Sequence, residues 1–438
     1  MYSESHKNRS VLTMLSVACM LLVAGSGVRA QQAGASLKAP EVAVPAPVAR
    51  AYSLEDLLAL ALRENLALES ARAQAAGGRA GVATARAYPN PEVEILGSSA
   101  RPRAPGSVGG GGSTVSVTQR IENPALRRAR ADAATVVAQT AEINVRVVES
   151  GVFAEIKERF FETMKRAEEL DAAREDLRLT EQIRDRIRVR TRSGEGARFD
   201  LYRADVEVSL AAKQAERAVT HVDEARARLT QAVGTNLTDN FTLAGDFYRK
   251  TPQADYHALR NAVLMANPEI KRALSELGRA EKQVDVERAQ ALPVVAVRIS
   301  RDDEPDMRTT RAGVVVSLPL WDRRRGPIDE ARAQAIKSRT DADLRRFVLV
   351  QAFEAGWQQY QAALKSVQAL EGGIVDQART VVDIAEAAYR FGERGILEYL
   401  DARRQFRAVR AELITARFEL HAAKAELERL AAHDLKGE

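Results

Sequence analysis

The sequence predicts a mainly α-helical protein with a small β part, built from two similar halves. Three observations support this fold class: long segments with apolar residues at helical spacing, two pairs of short segments with alternating hydrophobicity, and four sequence anchors that recur in the same order about 200 residues apart. Of the 438 residues, 45% are hydrophobic and 5% aromatic, and 65 basic residues are interspersed with 60 acidic ones. Such mixing is typical of solvated helix faces and argues against a nucleic-acid partner.

The N-terminus has the features of a secretory signal. A short polar segment with Lys7 and Arg9 precedes an apolar stretch over 11–24. Val28-Arg29-Ala30 then places small residues at the two positions that a signal peptidase reads. We therefore predict a signal peptide over residues 1–30.

The segment that follows and the hydropathy of the mature chain set further limits. Residues 31–50 are rich in Ala, Pro and Val and are predicted to form a linker. The only cysteine, Cys19, raises the alternative of lipid attachment, but Ser16 stands where a lipoprotein signal has an aliphatic residue. After the signal no apolar run approaches the roughly 18 residues of a transmembrane helix, so a membrane crossing would have to use strands.

Four anchors indicate an internal duplication. The recurring pairs are 57–66 with 259–268, Tyr88-Pro89 with Leu292-Pro293, 115–119 with 315–319, and Gly194-Glu195 with Gly392-Glu393. Because all four keep their order and spacing, we predict two repeats, over 51–245 and 246–438.

Each half has the same predicted order of elements: a helix, two strands around a polar loop, a very long helix, a Gly-containing turn and a return helix. The predicted helices are 53–87, 124–192 and 200–233 in the first half and 256–291, 327–390 and 398–432 in the second. The predicted strands are about 91–99, 113–121, 294–301 and 311–318. Asn123-Pro124 is a good helix start, and at 1.5 Å per residue each long helix would span roughly 100 Å.

Four strands per chain are too few to close a transmembrane β-barrel. Strands with open edges in lipid would leave backbone groups unpaired, at a cost of several kcal/mol each. A barrel would therefore be shared between copies of the chain. Two copies would supply eight strands and three would supply twelve, both even numbers, so the residues predict an oligomer without fixing its size.

Three segments carry a resemblance to a known family: Ala-Tyr-Pro-Asn-Pro-Glu at 87–92, Leu-Pro-Leu-Trp-Asp-Arg-Arg-Arg-Gly at 318–326, and Tyr-Arg-Phe-Gly-Glu-Arg-Gly-Ile-Leu-Glu-Tyr-Leu-Asp-Ala at 389–402. With the duplicated order of elements, the chain resembles the TolC-like outer-membrane efflux factors over nearly all of its mature length. The first two segments are most similar to the heavy-metal (cobalt–zinc–cadmium, CzcC-like) branch. Arg323-Arg324-Arg325 departs from that branch, which has Arg-Asn at this place.

The resemblance implies the outer-membrane channel subunit of a tripartite, RND-type efflux system in a Gram-negative bacterium. It implies a homotrimer with one twelve-stranded β-barrel and an α-barrel tunnel of antiparallel helical hairpins through the periplasm. Its expected partners are a periplasmic adaptor, an inner-membrane RND pump and outer-membrane lipids, and its expected cargo is heavy-metal cations. Two alternatives stay open: a multidrug outer-membrane factor, or a soluble periplasmic coiled-coil adaptor or scaffold.

Catalytic and metal-binding motifs are missing from the sequence. It has no HExxH, GxSxG or phosphate-cradling glycine loop, so we predict that the protein is not an enzyme and needs no cofactor. The mature histidines show no ligand spacing and are predicted to be polar surface residues, not a metal site. These are His221, His257, His421 and His433.

Two basic clusters occur where strand gives way to helix. They are Arg127, Arg128 and Arg130 in the first repeat, and Arg323, Arg324 and Arg325 in the second. Cations at a helix N-terminus oppose the helix dipole, by about 0.3–1 kcal/mol each where exposed. Solvated charge that tolerates this cost is one explanation. Their recurrence at the same point of both repeats favours the other, contact with phospholipid phosphates at the inner face of the outer membrane.

The two turns at the far ends of the hairpins are rich in glycine, which permits the positive φ of a tight helix reversal. Turn chemistry alone explains the glycines. The resemblance adds that an adaptor docks around these turns, and the docking residues it marks are Gly194, Glu195, Gly392 and Glu393.

The second turn is followed by a candidate gate. Glu398 and Asp401 are three residues apart on one helix face, with Arg394 a turn earlier. In a symmetric ring such carboxylates would converge, and rings of Asp or Glu make pores cation-selective. Acids that merely complement the helix dipole are the alternative. The resemblance favours the gate, because Arg394, Glu398 and Asp401 match the family's basic latch and acidic constriction, and Asp200 matches the partner position.

Overall fold

The computed structural model describes residues 50–101, 105–106, 108–194, 196–238, 241–250 and 254–432. The predicted signal peptide, nearly all of the predicted linker, Glu195 and His433 lie outside these residues. Up to the end of the first return helix, the elements are β1 (Ala51–Ser53), α1 (Leu54–Glu64), α2 (Leu66–Arg86), β2 (Glu92–Ala100), β3 (Gly110–Ile121), α3 (Pro124–Arg192) and α4 (Arg198–Val233). The remaining elements are β4 (Thr242–Ala244), α5 (Tyr256–Ala266), α6 (Pro268–Gln290), β5 (Val294–Asp303), β6 (Arg308–Ser317), α7 (Arg325–Ala369), a π-helical segment (Leu370–Ile374), α8 (Val375–Arg390) and α9 (Ile396–Ala431).

The structure confirms a mainly helical protein with long helices and a small antiparallel sheet. Strands β2, β3, β5 and β6 form one four-stranded sheet in that order, so the strand pair of one repeat joins that of the other through β3 and β5. A short parallel pair, β1 with β4, ties the beginning of the first repeat to its end. Within the part of the chain that the structure describes, β2 and β6 each leave one edge of the sheet unpaired.

The predicted single helices over 53–87 and 256–291 are each broken in two. The breaks fall at Asn65 and Asn267, whose extended backbones end one helix while their side chains begin the next. The side-chain oxygen of Asn65 accepts the second amide of α2 at 2.9 Å, and that of Asn267 accepts the second amide of α6 at 2.8 Å. The sequence predicted one continuous helix in each case because the apolar spacing does not change at an N-cap of this kind.

The same two asparagines also fasten the return helices. The side-chain amide of Asn65 donates to the carbonyl of Val233 at 3.0 Å, and that of Asn267 donates to the carbonyl of Leu430 at 2.8 Å. Both side chains are buried, with 5% and 1% of their surface exposed. Each asparagine thereby satisfies a carbonyl in the last turn of a return helix, where no further helical amide is available.

The second long helix is not continuous as predicted over 327–390. The π-helical segment separates α7 from α8, and within it Gly373 has φ 145° and ψ −19°. A side chain is strained in that conformation, so the Gly372-Gly373 pair permits a break that α3 lacks over its 69 residues.

Helix packing is unequal between the repeats. Helix α3 packs against α2 and α4 of its own repeat and also against α6 and α9 of the other, whereas α7 packs chiefly against α6 and α9. The largest apolar core surrounds Phe353, Tyr360 and Leu427 in the second repeat, and a smaller one surrounds Ile156 and Leu229 in the first. Among the described residues, every helix is too short or too polar to span a bilayer.

Candidate functional site

One face of the four-stranded sheet is polar and carries a network of charges. Directly opposed residues share a face, and one such row is Glu94, Ser116, Ser300 and Arg311. Arg298 of β5 reaches across β3 to Glu94 of β2 at 2.8 Å and also donates to the Ser116 hydroxyl of β3 at 3.1 Å. This face can therefore line a water-filled passage.

Further along this face the acids are again paired with bases. Arg120 contacts Glu92 at 3.0 Å, and Arg311 contacts Asp302 at 2.8 Å. Because each carboxylate has a nearby guanidinium, this wall carries little net charge and is a poor filter for ions of either sign.

The opposite face of the sheet is apolar and is left uncovered by the part of the chain that the structure describes. One opposed row is Val93, Val117, Ile299 and Ala312. Of these, Val93 is 62% exposed and Ile299 is 53% exposed. Exposed apolar side chains on one face and paired charges on the other are what strands between lipid and water require.

The first basic cluster divides between the surface and the interior. The guanidinium of Arg127 lies over the ring of Tyr88, 4.3 Å from its centroid, and Arg128 is exposed. Arg130 instead forms two bonds with Glu122, at 2.6 and 3.0 Å, and donates to carbonyl oxygens at the end of α2. Arg130 is thus a structural tie between helix and sheet.

The second basic cluster divides in the same way. Arg324, at the N-cap of α7 with φ 53°, pairs with Glu287 of α6 at 2.5 Å. Arg323 and Arg325 are exposed, and no ion pair is found for either of them among the described residues. Trp321, two residues earlier than Arg323, is 94% exposed.

The hairpin turns depend on glycine. Gly194 has φ 83° and Gly392 has φ 76°, and a Cβ atom at either position would meet nothing within 4 Å. Larger side chains would therefore fit in space but would strain the backbone. Glu393 is exposed, and its amide donates to the carbonyl of Ala388 at 2.9 Å. Glu195 lies outside the described residues.

The candidate gate residues lie at or near the turns that end the helical hairpins, which we call the tips. Within the described residues of one chain they form no ion pairs with one another. Arg394, Glu398 and Asp401 are exposed, in the turn and first two turns of α9, and Asp200 is half-buried in the first turn of α4. Asp401 pairs with Arg404 of its own helix at 3.3 Å. Among the described residues no ion pair is found for Arg394, so its side chain is available to another molecule.

Farther from the tips, α3 and α9 meet along a charged seam. Asp176, whose side chain is 12% exposed, accepts bonds from Arg403 at 3.0 Å and from Arg407 at 2.6 Å. Glu175 pairs with Arg410 at 2.5 Å, and this hydrogen bond lowers the pKa of Glu175. These pairs hold the hairpin of one repeat against that of the other.

His421 corrects the prediction that the histidines lie at the surface. It is 7% exposed, stacks on Phe161 with ring centroids 3.9 Å apart, and its Nε2 lies 3.1 Å from the carbonyl oxygen of Phe247. Burial lowers its pKa to about 4, so the ring is neutral at pH 7. Within the described part of the chain, no three His, Cys, Asp or Glu side chains are grouped to hold a metal ion.

Two exposed aromatic residues beside the hairpin turns and the charge pairs of the sheet were not predicted from the sequence. Phe391 and Phe199 are 80% and 69% exposed beside the two turns. Both rings stand beside glycine-containing turns in the sequence, but Tyr389, three residues before Gly392, packs against a core cluster, so this position alone does not predict exposure. The pairing of Glu94 with Arg298 joins strands of different repeats and had no signal in either strand alone.

Comparison with known proteins shows which family the chain is similar to. The family model described as outer membrane efflux protein matches residues 57–235 and 259–433. The cobalt-zinc-cadmium resistance protein CzcC of Cupriavidus metallidurans is 25% identical over 388 residues, which are 88% of this chain and 91% of that protein. The nickel-cobalt-cadmium resistance protein NccC of Alcaligenes xylosoxydans is 25% identical over 303 residues, 68% of each chain. The open-state crystal structure of the Neisseria gonorrhoeae MtrE outer membrane channel superposes with a TM-score of 0.74 at 17% identity, covering 87% of this chain and 89% of that one.

The fold and the two-faced sheet define an outer-membrane efflux channel. The chain belongs to the outer membrane efflux protein family, whose model covers most of both repeats. It is therefore a protein of the Gram-negative outer membrane with a periplasmic extension, it acts in tripartite efflux, and it is not an enzyme. The predicted family, location and lack of catalysis are confirmed, and the soluble adaptor or scaffold is excluded.

Proposed function

We propose that the chain is the passive exit duct of an RND-type efflux system that exports heavy-metal cations. The observation that carries the proposal is the similarity to CzcC, which extends over 88% of this chain and 91% of that protein. The charge-compensated wall of the sheet suits a duct that passes its cargo without binding it, so the pump and adaptor would select the metal.

Deleting the gene tests the cargo. We expect greater sensitivity to zinc, cobalt or cadmium, restored by the wild-type gene, with unchanged sensitivity to organic drugs. Unchanged metal tolerance together with new sensitivity to drugs would instead make the protein a multidrug outer-membrane factor.

The unequal packing of the long helices supports a ring of copies. Helix α3 contacts helices of both repeats, whereas the outer side of α7 has no comparable first-repeat neighbour within the described residues. This side exposes Ile336, Leu344 and Phe347 at helical spacing, with exposures of 69%, 57% and 62%. The α2 and α4 helices of a second copy would cover them as α6 and α9 cover α3.

The open edges of the sheet support the same assembly. β2 and β6 would pair with β6 and β2 of neighbouring copies, which would remove both edges. We propose three copies, in line with the family resemblance, giving a twelve-stranded barrel with the polar face inward. The helical hairpins would then form the periplasmic tunnel.

The hairpin tips are proposed as the adaptor-docking surface. Gly194 and Gly392 keep the turns compact, and the exposed rings of Phe199 and Phe391 offer apolar contacts to a periplasmic partner. Glu195 and Glu393, which follow the two glycines in sequence, are part of the same proposed surface.

We propose that Arg394, Glu398, Asp401 and Asp200 form the gate of the resting channel. The exposed Arg394 of one copy would pair with acids of the neighbouring hairpin, and Glu398 with Asp401 would form a ring of negative charge. Exposed pairs contribute at most about 1 kcal/mol each, so adaptor docking can open them.

Single-channel recordings test the gate. Glu398→Gln with Asp401→Asn should lower the selectivity for cations, and Arg394→Ser should raise the resting conductance. A matched control is Glu412→Gln with Glu419→Gln, which removes two exposed acids from the same helix three or more turns away. If the tip variants behave like this control, the four residues are not the gate.

A further inference from the structure

The segment of residues 318–325 leads from β6 into the first residue of α7 and combines exposed apolar, aromatic and basic side chains. We call it the boundary segment. Leu318 and Leu320 are 58% and 57% exposed, and Trp321 is 94% exposed. Arg323 and Arg325 follow within four residues and are exposed as well. Within the described residues, no helix or strand covers these side chains.

Contacts within the chain account for part of this segment but not for its two outer arginines. Arg324 is turned toward α6 and pairs with Glu287. Asp322 accepts the backbone amide of Arg324 at 2.8 Å, which fixes the turn into α7. Arg323 and Arg325 are exposed, and no ion pair is found for either of them among the described residues.

The order of residues along the chain matches the order of layers at a membrane surface. Val314 and Val316 lie on the apolar face of the sheet, and the exposed leucines, the indole and then the arginines follow them. Hydrocarbon, the interface preferred by Trp, and headgroup phosphates occur in that same order on leaving a bilayer. The first repeat has a related arrangement, with Arg127 over the ring of Tyr88 beside the end of β3.

We propose that the boundary segment binds the headgroup of an anionic phospholipid in the periplasmic leaflet. Arg323 and Arg325 pair with the headgroup phosphate, Trp321 lies at the interface, and Leu318 and Leu320 contact the acyl chains. Arg324 takes no part in binding and only holds the segment to α6. The inference rests on the proposed barrel, since the segment meets lipid only if the sheet is in the membrane.

Trp321 provides a direct probe of this site. The chain has two tryptophans, so Trp357→Phe leaves Trp321 as the only one. This full-length variant is reconstituted into vesicles of phosphatidylcholine that contain either brominated phosphatidylglycerol or brominated phosphatidylcholine. We expect quenching of Trp321 at a far lower fraction of the brominated anionic lipid than of the zwitterionic one.

Removing the two outer arginines should abolish that preference. Arg323→Gln with Arg325→Gln should lower the apparent affinity for phosphatidylglycerol roughly tenfold or more, since each basic residue near the surface contributes a factor of about five. Lys213→Gln with Arg217→Gln is the matched control, because it removes two exposed cations from α4 far from the sheet. Native mass spectrometry of bound lipid, with Trp357 intact, provides an independent reading.

The results of these experiments distinguish failure of the lipid site from failure of the proposed exit duct on which it rests. Equal quenching by both lipids, or equal losses in the arginine variant and its control, would overturn the lipid site while leaving the duct in place. No quenching by either lipid would show that the sheet is outside the membrane, which would overturn both.

Discussion

Asn65 and Asn267 show how much a single side chain decides in this fold. Each ends one helix, caps the next and donates to the last turn of the return helix, at equivalent positions of the two repeats. A buried amide left without its partner costs about 1–3 kcal/mol, so each asparagine fixes the angle between its helices strongly. Neither role can be deduced from periodicity, because the partner carbonyls lie more than 160 residues away.

His421 is a buried residue whose charge state affects stability. Its burial lowers its pKa, and nearby Lys424 and Arg417 lower it further, while the carbonyl of Phe247 and the carboxylate of Asp246 act in the opposite direction. In the unfolded chain the ring titrates near its ordinary value of 6.5. The unfolded state therefore binds the proton first as the pH falls, which destabilises the native state between about pH 6.5 and pH 4.

We expect this histidine to cost the protein roughly 2 kcal/mol of unfolding free energy between pH 7 and pH 5. His421→Phe, which keeps the stack on Phe161 and cannot be protonated, should reduce the loss of thermal stability over that range. The midpoint of thermal unfolding is measured at pH 7 and at pH 5 from the helical circular-dichroism signal. His257→Gln, at an exposed position, should keep the full pH dependence, and an equally steep dependence in His421→Phe would contradict the argument.

The basic clusters show where residue-level prediction succeeds and where it stops. Their recurrence in both repeats was visible in the sequence, and Arg128, Arg323 and Arg325 are indeed exposed. Arg130 and Arg324 look the same in sequence but pair with carboxylates of other segments. Which arginine is turned inward depends on tertiary contacts that no local pattern contains.

Among the elements, the π-helical segment has the clearest consequence. Helices and strands with strong periodicity were predictable, and α3 has the bounds Pro124–Arg192 that its capping signals indicated. The break at Leu370–Ile374 was not predicted, because Gly372-Gly373 lies inside an otherwise helical pattern and a glycine pair is compatible with either state. The positive φ of Gly373 shows that the helix is broken here, and it is visible only in the structure.

We expect Gly373→Ala to destabilise the protein by about 1–3 kcal/mol, since alanine is strained at φ 145°. Gly372→Ala is the matched control. It has open space and no positive φ, so it should be neutral or stabilise the fold by up to about 1 kcal/mol. Thermal midpoints of the two variants test the contrast, and equal midpoints would mean that the segment readily becomes a regular α-helix.

At the scale of the whole molecule, the contacts between the two repeats of one chain predict the contacts between neighbouring copies. The hydroxyls of Thr140 in α3 and Ser275 in α6 are 2.6 Å apart. Aligning Pro124 with Pro327 and Asn65 with Asn267 puts Asp343 of α7 in the place of Thr140, and Ala73 of α2 in the place of Ser275. Both Asp343 and Ala73 are exposed in the single chain, as a contact between copies requires.

We therefore expect Ala73→Cys with Asp343→Cys to form disulfides between copies, giving bands at two and three times the chain mass on denaturing gels without reductant. Thr140→Cys with Ser275→Cys should cross-link within one chain and give no such ladder. The only native cysteine is Cys19, so the background is low. A ladder that also appears with Asp343→Cys alone, or no ladder from the pair, would contradict the proposed ring.

The two asparagine junctions also bear on how such a chain could arise. An ancestor of one repeat, with one such junction, would have had identical contacts on both sides, and six copies would close the proposed ring. Fusion of two such genes would place every second contact between repeats inside one chain. The contacts within a chain and the contacts between chains could then differ in sequence. The glycine break in one long helix, and the charged seam between α3 and α9, are the kind of divergence that this freedom allows.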